Sequence, residues 1–424
     1  MDCGCACFPR TLRYESPAHG GWGIVRMASL VPEAYMLFVV PLACGRHGAL
    51  GALMSGCKDK VSYLYLSEED IVSGSYEHAI PPAVDELLAF LNPKPKILFL
   101  FGGCIDDLLC TDHKALLSHL SSLHPDLLFR YCHMNPIQLD TPNPPGATLF
   151  TNIYSLLSPK PHDPHQINLL GNNLALALDS ELYAIAASFG VRITQLPMCK
   201  TFEDFMEMGS ASLNLVCSPR CVPAAKQMEK RLGIPYLPCF PTYDPLQIAS
   251  FYQLLTERLA SQTGRSSSYD WHTDQLTAEA ALRRTAERLQ GTPVSVDFQA
   301  TNRPLSLTRT LLKHGFSIGL VSVDGVPPFE KEAFSWLQEH APSVEIIDPM
   351  HHDAPKNAYP QFHNSISLGV DSAYATGTDH IVDLQEDNDL FGFYGIVRLM
   401  EIISKAAMET ADIKDKIREA KLVI

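Results

Sequence analysis

Apolar runs recur along the chain, with room for about one helix between successive runs. They are apolar throughout rather than alternating, which predicts strands of parallel sheets covered by helices on both faces. The first group is Tyr35–Pro41, Val61–Leu66, Lys96–Phe101, Leu127–Tyr131 and Ala147–Ile153. A proline-rich stretch, Ser158–Pro164, then marks a boundary. The second group is Gln166–Leu170, Arg192–Leu196, Leu213–Cys217 and Pro235–Leu237, with helical segments at Asn173–Phe189 and Pro223–Leu232. Gly233 follows the latter where a helix C-terminal glycine belongs. The polar segment Ser261–Asp270 reads as an exposed loop. The third group is Val294–Phe298, Ser317–Val323, Val344–Ile347, Ser365–Val370 and His380–Val382, followed by a last long helix over Gly392–Met408. The fold class is therefore α/β, with mostly parallel sheets. Three units, bounded at 1–160, 161–290 and 291–424, fit the length better than one large sheet.

Three cysteines sit at the carboxyl ends of such runs: Cys44 after YMLFVVPLA, Cys104 after ILFLFGG and Cys217 after LNLV. In open α/β sheets that edge lines the ligand crevice. One such thiol reads as core. Three at equivalent places read as soft ligands for a metal cluster. Around Cys44, PLACGRHG offers glycines that allow close backbone approach to a bulky group. Cys3, Cys5 and Cys7 form a CxCxC tail, a pattern that suits metal as well as a frayed terminus. Cys217 and Cys221 fall at the start of a helix, whose dipole favours thiolate. Cys110 reads as core. Asp106, Asp107 and Asp112 read as acids complementing helix N-termini. His19, His47, His113, His351, His352 and His380 are individually weak candidates as ligands or proton donors.

Composition narrows the setting. The chain has 424 residues, 12 cysteines and a formal net charge of −14. That charge argues against a general nucleic-acid binder and against docking on an anionic membrane. No signal-peptide pattern opens the sequence, and the apolar run Ala34–Ala43 is too short to span a bilayer. A reducing cytoplasm is the expected location, where thiols are core residues, ligands or nucleophiles. No GxxxxGK[ST] loop, GxSxG elbow, HExxH helix or paired CxxC motif is present.

Six segments in order, VVPLACG, SEEDIVSG (67–74), GGCIDDLLCTD, INLLG (167–171), KRLGIPY (230–236) and FGFYG (391–395), resemble the nitrogenase component 1 family of iron–sulfur oxidoreductase subunits. The resemblance implies three Rossmann-like domains and a homologous or identical partner subunit, in a dimer or tetramer. It also implies an iron–sulfur cluster near the subunit interface, either 4Fe-4S or a larger P-cluster-like one. Cys44 and Cys104 match two of the family's ligand positions. The earlier ligand should fall near Ala18, where there is no cysteine, and Cys7, Cys5, Cys3 or a partner residue would substitute. A second metallocofactor would be held by one cysteine and one histidine. Cys217, sixteen residues before Gly233, matches the cysteine directly, and His380 lies two residues from the histidine position.

The function this implies is that of a nitrogenase-like reductase subunit, working in anaerobic conditions. It would receive low-potential electrons from an ATP-dependent iron-protein-type reductase, with ATP bound only on that partner, and pass them to a substrate or second cofactor. The alternatives are a cofactor-assembly scaffold of the same fold, and a metal-free α/β binding or regulatory protein.

Overall fold

The computed structural model describes residues 14, 16–18, 23–134, 144–351 and 358–420. Three sheets form, each flanked by helices, as the apolar pattern predicts. The first comprises β1 (Ala34–Pro41), β2 (Val61–Leu66), β3 (Ile97–Gly102) and β4 (Leu128–His133), in the order β2-β1-β3-β4 with every neighbour parallel. The second comprises β5 (Asp163–Leu170), β6 (Arg192–Gln195), β7 (Ala211–Val216) and β8 (Tyr236–Pro238), in the order β6-β5-β7-β8. The third comprises β9 (Val294–Val296), β10 (Ile318–Ser322), β11 (Glu345–Ile347), β12 (Ile366–Leu368) and β13 (Ile381–Val382), ordered β11-β10-β9-β12-β13, again parallel. The chain divides into two compact units. One is Gly21–Ala175 with Ile193–Pro238 and holds the first two sheets; the other holds the third sheet with Leu176–Arg192.

The first sheet shows why the pattern works. All six residues of β3, ILFLFG, are buried, because helices cover both faces. On one face the helix Tyr76–Phe90 buries Tyr76, Ile80, Val84 and Leu88, a four-residue repeat, against Leu37, Val39, Leu98 and Leu100. Each such aliphatic burial contributes about 1.5–3 kcal/mol. The loop before this helix carries SEEDIVSG as a short helix, Glu68–Ser73, with Ser67 and Asp70 forming a capping box and Gly74 at φ 68° ending it.

Two expected elements differ. Ala147–Ile153, read as a strand from its apolar run, lies inside a helix, Pro145–Tyr154. Pro145 opens the first turn, where its missing N–H costs nothing. Ala147, Phe150 and Tyr154 then recur at helical spacing on the buried face, and Thr151 donates back to the Ala147 carbonyl at 3.0 Å. Arg231 fixes the far end by donating to the Tyr154 carbonyl at 2.9 Å. The expected helix Asn173–Phe189 starts only at Glu181 and ends at Ser188. Upstream, the Asn172 amide donates to the Leu174 carbonyl at 2.8 Å, side-chain bonding that competes with helix. Pro223–Leu232 is helical as read, and Gly233 ends it at φ 74°.

In the unit with the third sheet, buried carboxylates serve as helix caps. Glu181 accepts from the Phe393 and Tyr394 amides at the start of the helix Gly392–Ala406, and from the Tyr252 hydroxyl at 2.7 Å. Gly392 is required there, since a Cβ would meet Glu181 Oε1 at 2.1 Å. This accounts for the first glycine of FGFYG after the leading phenylalanine. Asp297, at the end of β9, is fully buried and accepts from the Gln299 and Ser372 amides at 2.8 and 2.9 Å. Burial first, and the nearby Asp371 charge second, push its carboxyl from 3.8 up to about 7.

Between those values the unfolded carboxyl has released its proton and the folded one has kept it. Stability should therefore fall as pH rises from about 4 to about 7. Urea denaturation followed across that range should show the fall, and Asp297→Asn should flatten it; an unchanged pH profile in the variant would show that another group governs it.

Candidate metal-binding site

The carboxyl edge of the first sheet collects the chemistry. β1 ends at Pro41, and the helix Leu42–Met54 begins at once, carrying an exposed Cys44. β3 ends at Gly102, and the short helix Cys104–Leu108 begins two residues later, with Cys104 half-buried. Because β1 and β3 are neighbours, with Val39 in register with Gly102, both thiols leave the same sheet edge from adjacent strands. The glycines after Cys44 serve the protein's own packing. A Cβ on Gly45 would meet the Tyr65 ring at 2.6 Å, and one on Gly48 the Phe38 ring at 3.0 Å. The bulky groups approached are thus two aromatic side chains of the sheet. Cys110 is exposed at φ 57°, contrary to its reading as core, because the chain turns there after the short helix.

Beside Cys104, four side chains converge that the cysteine pattern did not single out. Asp106, Asp107, His113 and His133 each place one ligating atom within 4.8 Å of the others. Asp106 is buried and the other three are half-buried. His113 Nε2 lies 3.2 Å from Asp106 Oδ2, and His133 Nδ1 lies 3.1 Å from Asp107 Oδ1. Parallel pairing assembles the set: Gly102 is in register with His133, so the last residue of β4 comes beside the loop leaving β3.

Tyr131, two residues earlier on β4, donates its hydroxyl to Asp106 Oδ2 and stacks on His113 at 3.7 Å between ring centroids. A Cβ at Gly102 would meet the Tyr131 hydroxyl at 1.5 Å and Asp106 Oδ2 at 2.7 Å. Only glycine fits there, which gives the first glycine of GGC its role. Burial, the Asp106 charge and the donated hydrogen bond hold the Tyr131 phenol far above its ordinary range. Tyr76, whose hydroxyl pairs with Thr111, is pushed up to about 12 by burial and then by Asp106. Two carboxylates and two imidazoles make a negative pocket with a donor set able to hold a metal ion. Asp112, in contrast, caps the helix His113–Leu123 by accepting from Lys114 and Ala115, as its helix-terminal reading predicts.

The remaining candidates are dispersed. Cys217 is buried just past β7, its thiol donating to the Leu170 carbonyl at 3.1 Å. Cys221 does not become a favoured thiolate at its helix N-terminus: burial first, then Cys217, pushes its thiol well above the ordinary value, outweighing the dipole. His380 is half-buried, and its Nδ1 faces the Ala406 and Glu409 carbonyls at 2.8 and 3.0 Å, leaving Nε2 as the other ring nitrogen. Cys217 and His380 belong to different compact units. Ala18, where the resemblance expects a ligand cysteine, is fully buried against Val370, Ile417 and Ala420. Cys3, Cys5, Cys7, His19, His352 and the side chain of His47 lie outside the described residues. Among the described residues no helix is long and apolar enough to cross a membrane.

With an α/β architecture of three mostly parallel sheets and a cluster of possible metal ligands at the edge of the first, the protein falls in the class of Rossmann-like α/β proteins. Residues 22–408 match the family model for nitrogenase component 1 type oxidoreductases, and the chain belongs to that family. Two curated relatives are the nitrogenase iron-molybdenum cofactor biosynthesis proteins NifE of Clostridium pasteurianum and of a Nostoc species. Each is 26% identical, over 49% and 50% of this chain and 46% and 45% of the relative, respectively. The matches thus span about half the length of those relatives. Among solved structures, nitrogenase Cp1 at pH 6.5 matches with a TM-score of 0.69 at 15% identity, covering 96% of both chains. The same protein at pH 5 matches with a TM-score of 0.59. These likenesses show the fold alone.

Gly102→Ala should cost about 1–3 kcal/mol by forcing the Tyr131 hydroxyl off Asp106. Tyr131→Phe in the same chain should absorb part of that loss, because the clashing oxygen is gone. A double-mutant cycle in urea reads the coupling; strict additivity would show that the two groups do not meet as described.

Proposed function

We propose that the chain is a cofactor-assembly scaffold of the nitrogenase component 1 fold, holding an iron–sulfur precursor in transit rather than reducing a substrate. The observation that carries the reading is the similarity of half the chain to two relatives that are both named as cofactor biosynthesis proteins. The likeness to nitrogenase itself, at 15% identity, speaks for fold alone. The thiols fit the role. Cys44 is exposed and Cys104 half-buried, on adjacent strand ends, and exposed Cys110 adds a third thiol to the same loop. By contrast, Cys132 and Cys221 are fully buried and their thiols are pushed up, Cys132 to about 12, as suits inert core residues. Open thiolates can hand a cluster on, whereas a resident electron relay gains from burial that sets its potential.

Cys44 and Cys104 would hold the cluster, which would supply iron and sulfide for assembly. Further ligands would come from Cys3, Cys5 or Cys7 or from a partner subunit. Leu42, Leu108 and Leu109 are exposed on the same segments, an apolar rim suited to a homologous or identical subunit. An ATP-dependent iron-protein-type reductase would be the electron source for this system, and the domain divisions near residues 160 and 290 would separate cluster, cofactor and terminal units.

Anaerobic reconstitution with iron and sulfide should give a brown protein. Cys44→Ala with Cys104→Ala should lose most of the bound iron and sulfide by elemental analysis and electron paramagnetic resonance. The loaded chain should pass its cluster to an apo acceptor of the same family. Sustained turnover of a small substrate with the cognate reductase would return the protein to the catalytic class, and a colourless chain after reconstitution would remove the metal altogether.

A further inference from the structure

We infer that Asp106, Asp107, His113 and His133 bind one first-row divalent cation, at a site separate from the cysteines, and that this ion anchors the helix that carries Cys104. The first argument is geometric. Zinc-type bonds of about 2.0–2.2 Å place tetrahedral neighbours about 3.3 Å apart, and bonds of about 2.1 Å place trans ligands of a six-coordinate ion about 4.2 Å apart. The His113–Asp106 and His133–Asp107 separations of 3.2 and 3.1 Å match adjacent ligands. The widest separation, at most 4.8 Å, needs only a small closure.

The second argument is what the groups do without an ion. Asp106 is 5% exposed, yet its Oδ1 has no hydrogen-bond partner. His133 Nδ1 is buried and approaches Asp107 without hydrogen-bond geometry, and His113 Nδ1 is also without a partner. Buried polar atoms are nearly always paired, and an orphaned carboxylate oxygen costs about 1–3 kcal/mol or more. Two imidazolium–carboxylate pairs would be the competing account, but such pairs need an N–H aimed at the oxygen, which His133 lacks.

The third argument is chemical identity. Two imidazole nitrogens and two carboxylate oxygens, without sulfur, suit zinc, ferrous or manganous ions and not a soft cluster. Tyr131 is then a positioning group: its hydroxyl fixes the Asp106 carboxylate, and its ring stacks on His113. Asp106 and Asp107 lie on the helix that Cys104 begins, so the ion ties that helix to β4 through His133 and to the following helix through His113.

The test uses the full chain, stripped with a chelator and titrated with zinc by calorimetry and with cobalt by visible absorption. One ion per chain should bind. Cobalt should give d–d bands without sulfur charge transfer, and both results should persist in Cys44→Ala with Cys104→Ala. Asp106→Asn and His133→Gln should each weaken binding at least as much as the ~10–100-fold that losing an outer-sphere partner costs, and Tyr131→Phe by about tenfold. Should Asp106→Asn fail to fold, His133→Gln, at a half-buried position, carries the same readout. Equal affinity in the Asp106 and His133 variants, sulfur charge-transfer bands, or absence of binding would each overturn the site. Iron and sulfide reconstitution of His133→Gln separates this inference from the scaffold reading, because the thiolate cluster should still load.

Discussion

Two-sided burial of parallel strands is the constraint on which the rest depends. A strand such as β3, with all six residues enclosed, has no face on which to present a polar group. Hydrogen bonds to the neighbouring strands consume its backbone, and helices consume both surfaces. Chemistry is therefore displaced to the strand ends, where the chain turns and side chains escape the hydrocarbon. In the first sheet that displacement delivers Cys44, Cys104, the two aspartates and His133 to one edge. Gly102 is the point where the constraint is tightest, since the missing Cβ is what admits the Tyr131 hydroxyl and the Asp106 carboxylate.

The same chain treats buried carboxylates in two ways, and the contrast is informative. In Glu181 and Asp297 each carboxylate oxygen accepts a backbone amide, those of Phe393, Tyr394 and Ser372 at helix starts and that of Gln299 in a loop, so no oxygen is left without a partner. Asp106 receives a phenol and an imidazole on one oxygen and nothing on the other. Saturated carboxylates read as architecture, and an unsaturated one beside two histidines reads as a site. The thiols divide in a parallel manner: burial holds Cys132 and Cys221 as neutral thiols, whereas at the first sheet's edge Cys44 is exposed and Cys104 half-buried.

Much of the architecture was legible because a fully buried strand has a simple signature. Thirteen of the expected strand segments fall on observed ones, shifted by a few residues at their ends, where caps and bulges rather than hydrophobicity decide the boundary. Ala147–Ile153 failed because a short apolar run with threonines fits strand and helix equally, and the deciding contacts come from Arg231, far along the chain. The acidic pair after Cys104 was read correctly as lying in a first helical turn, yet its convergence with two histidines was missed. The edge rule that singled out the cysteines applies equally to His133, which closes the LFRYCH strand; applied to every ligating residue type, it would have brought Asp106, Asp107 and His133 to one place.

By itself the sequence determined the three parallel sheets, the strand-end position of the cysteines and the family, because these rest on local periodicity and on short ordered motifs. Tertiary structure alone decided which thiols are open and which are locked in the core, that Ala18 is packed in apolar surroundings, and that four residues spread over β4 and two helices share one pocket. The reason is that exposure and ligand geometry are properties of strand register and packing. The pairing of Gly102 with His133 crosses thirty-one residues of chain, and no local pattern encodes it.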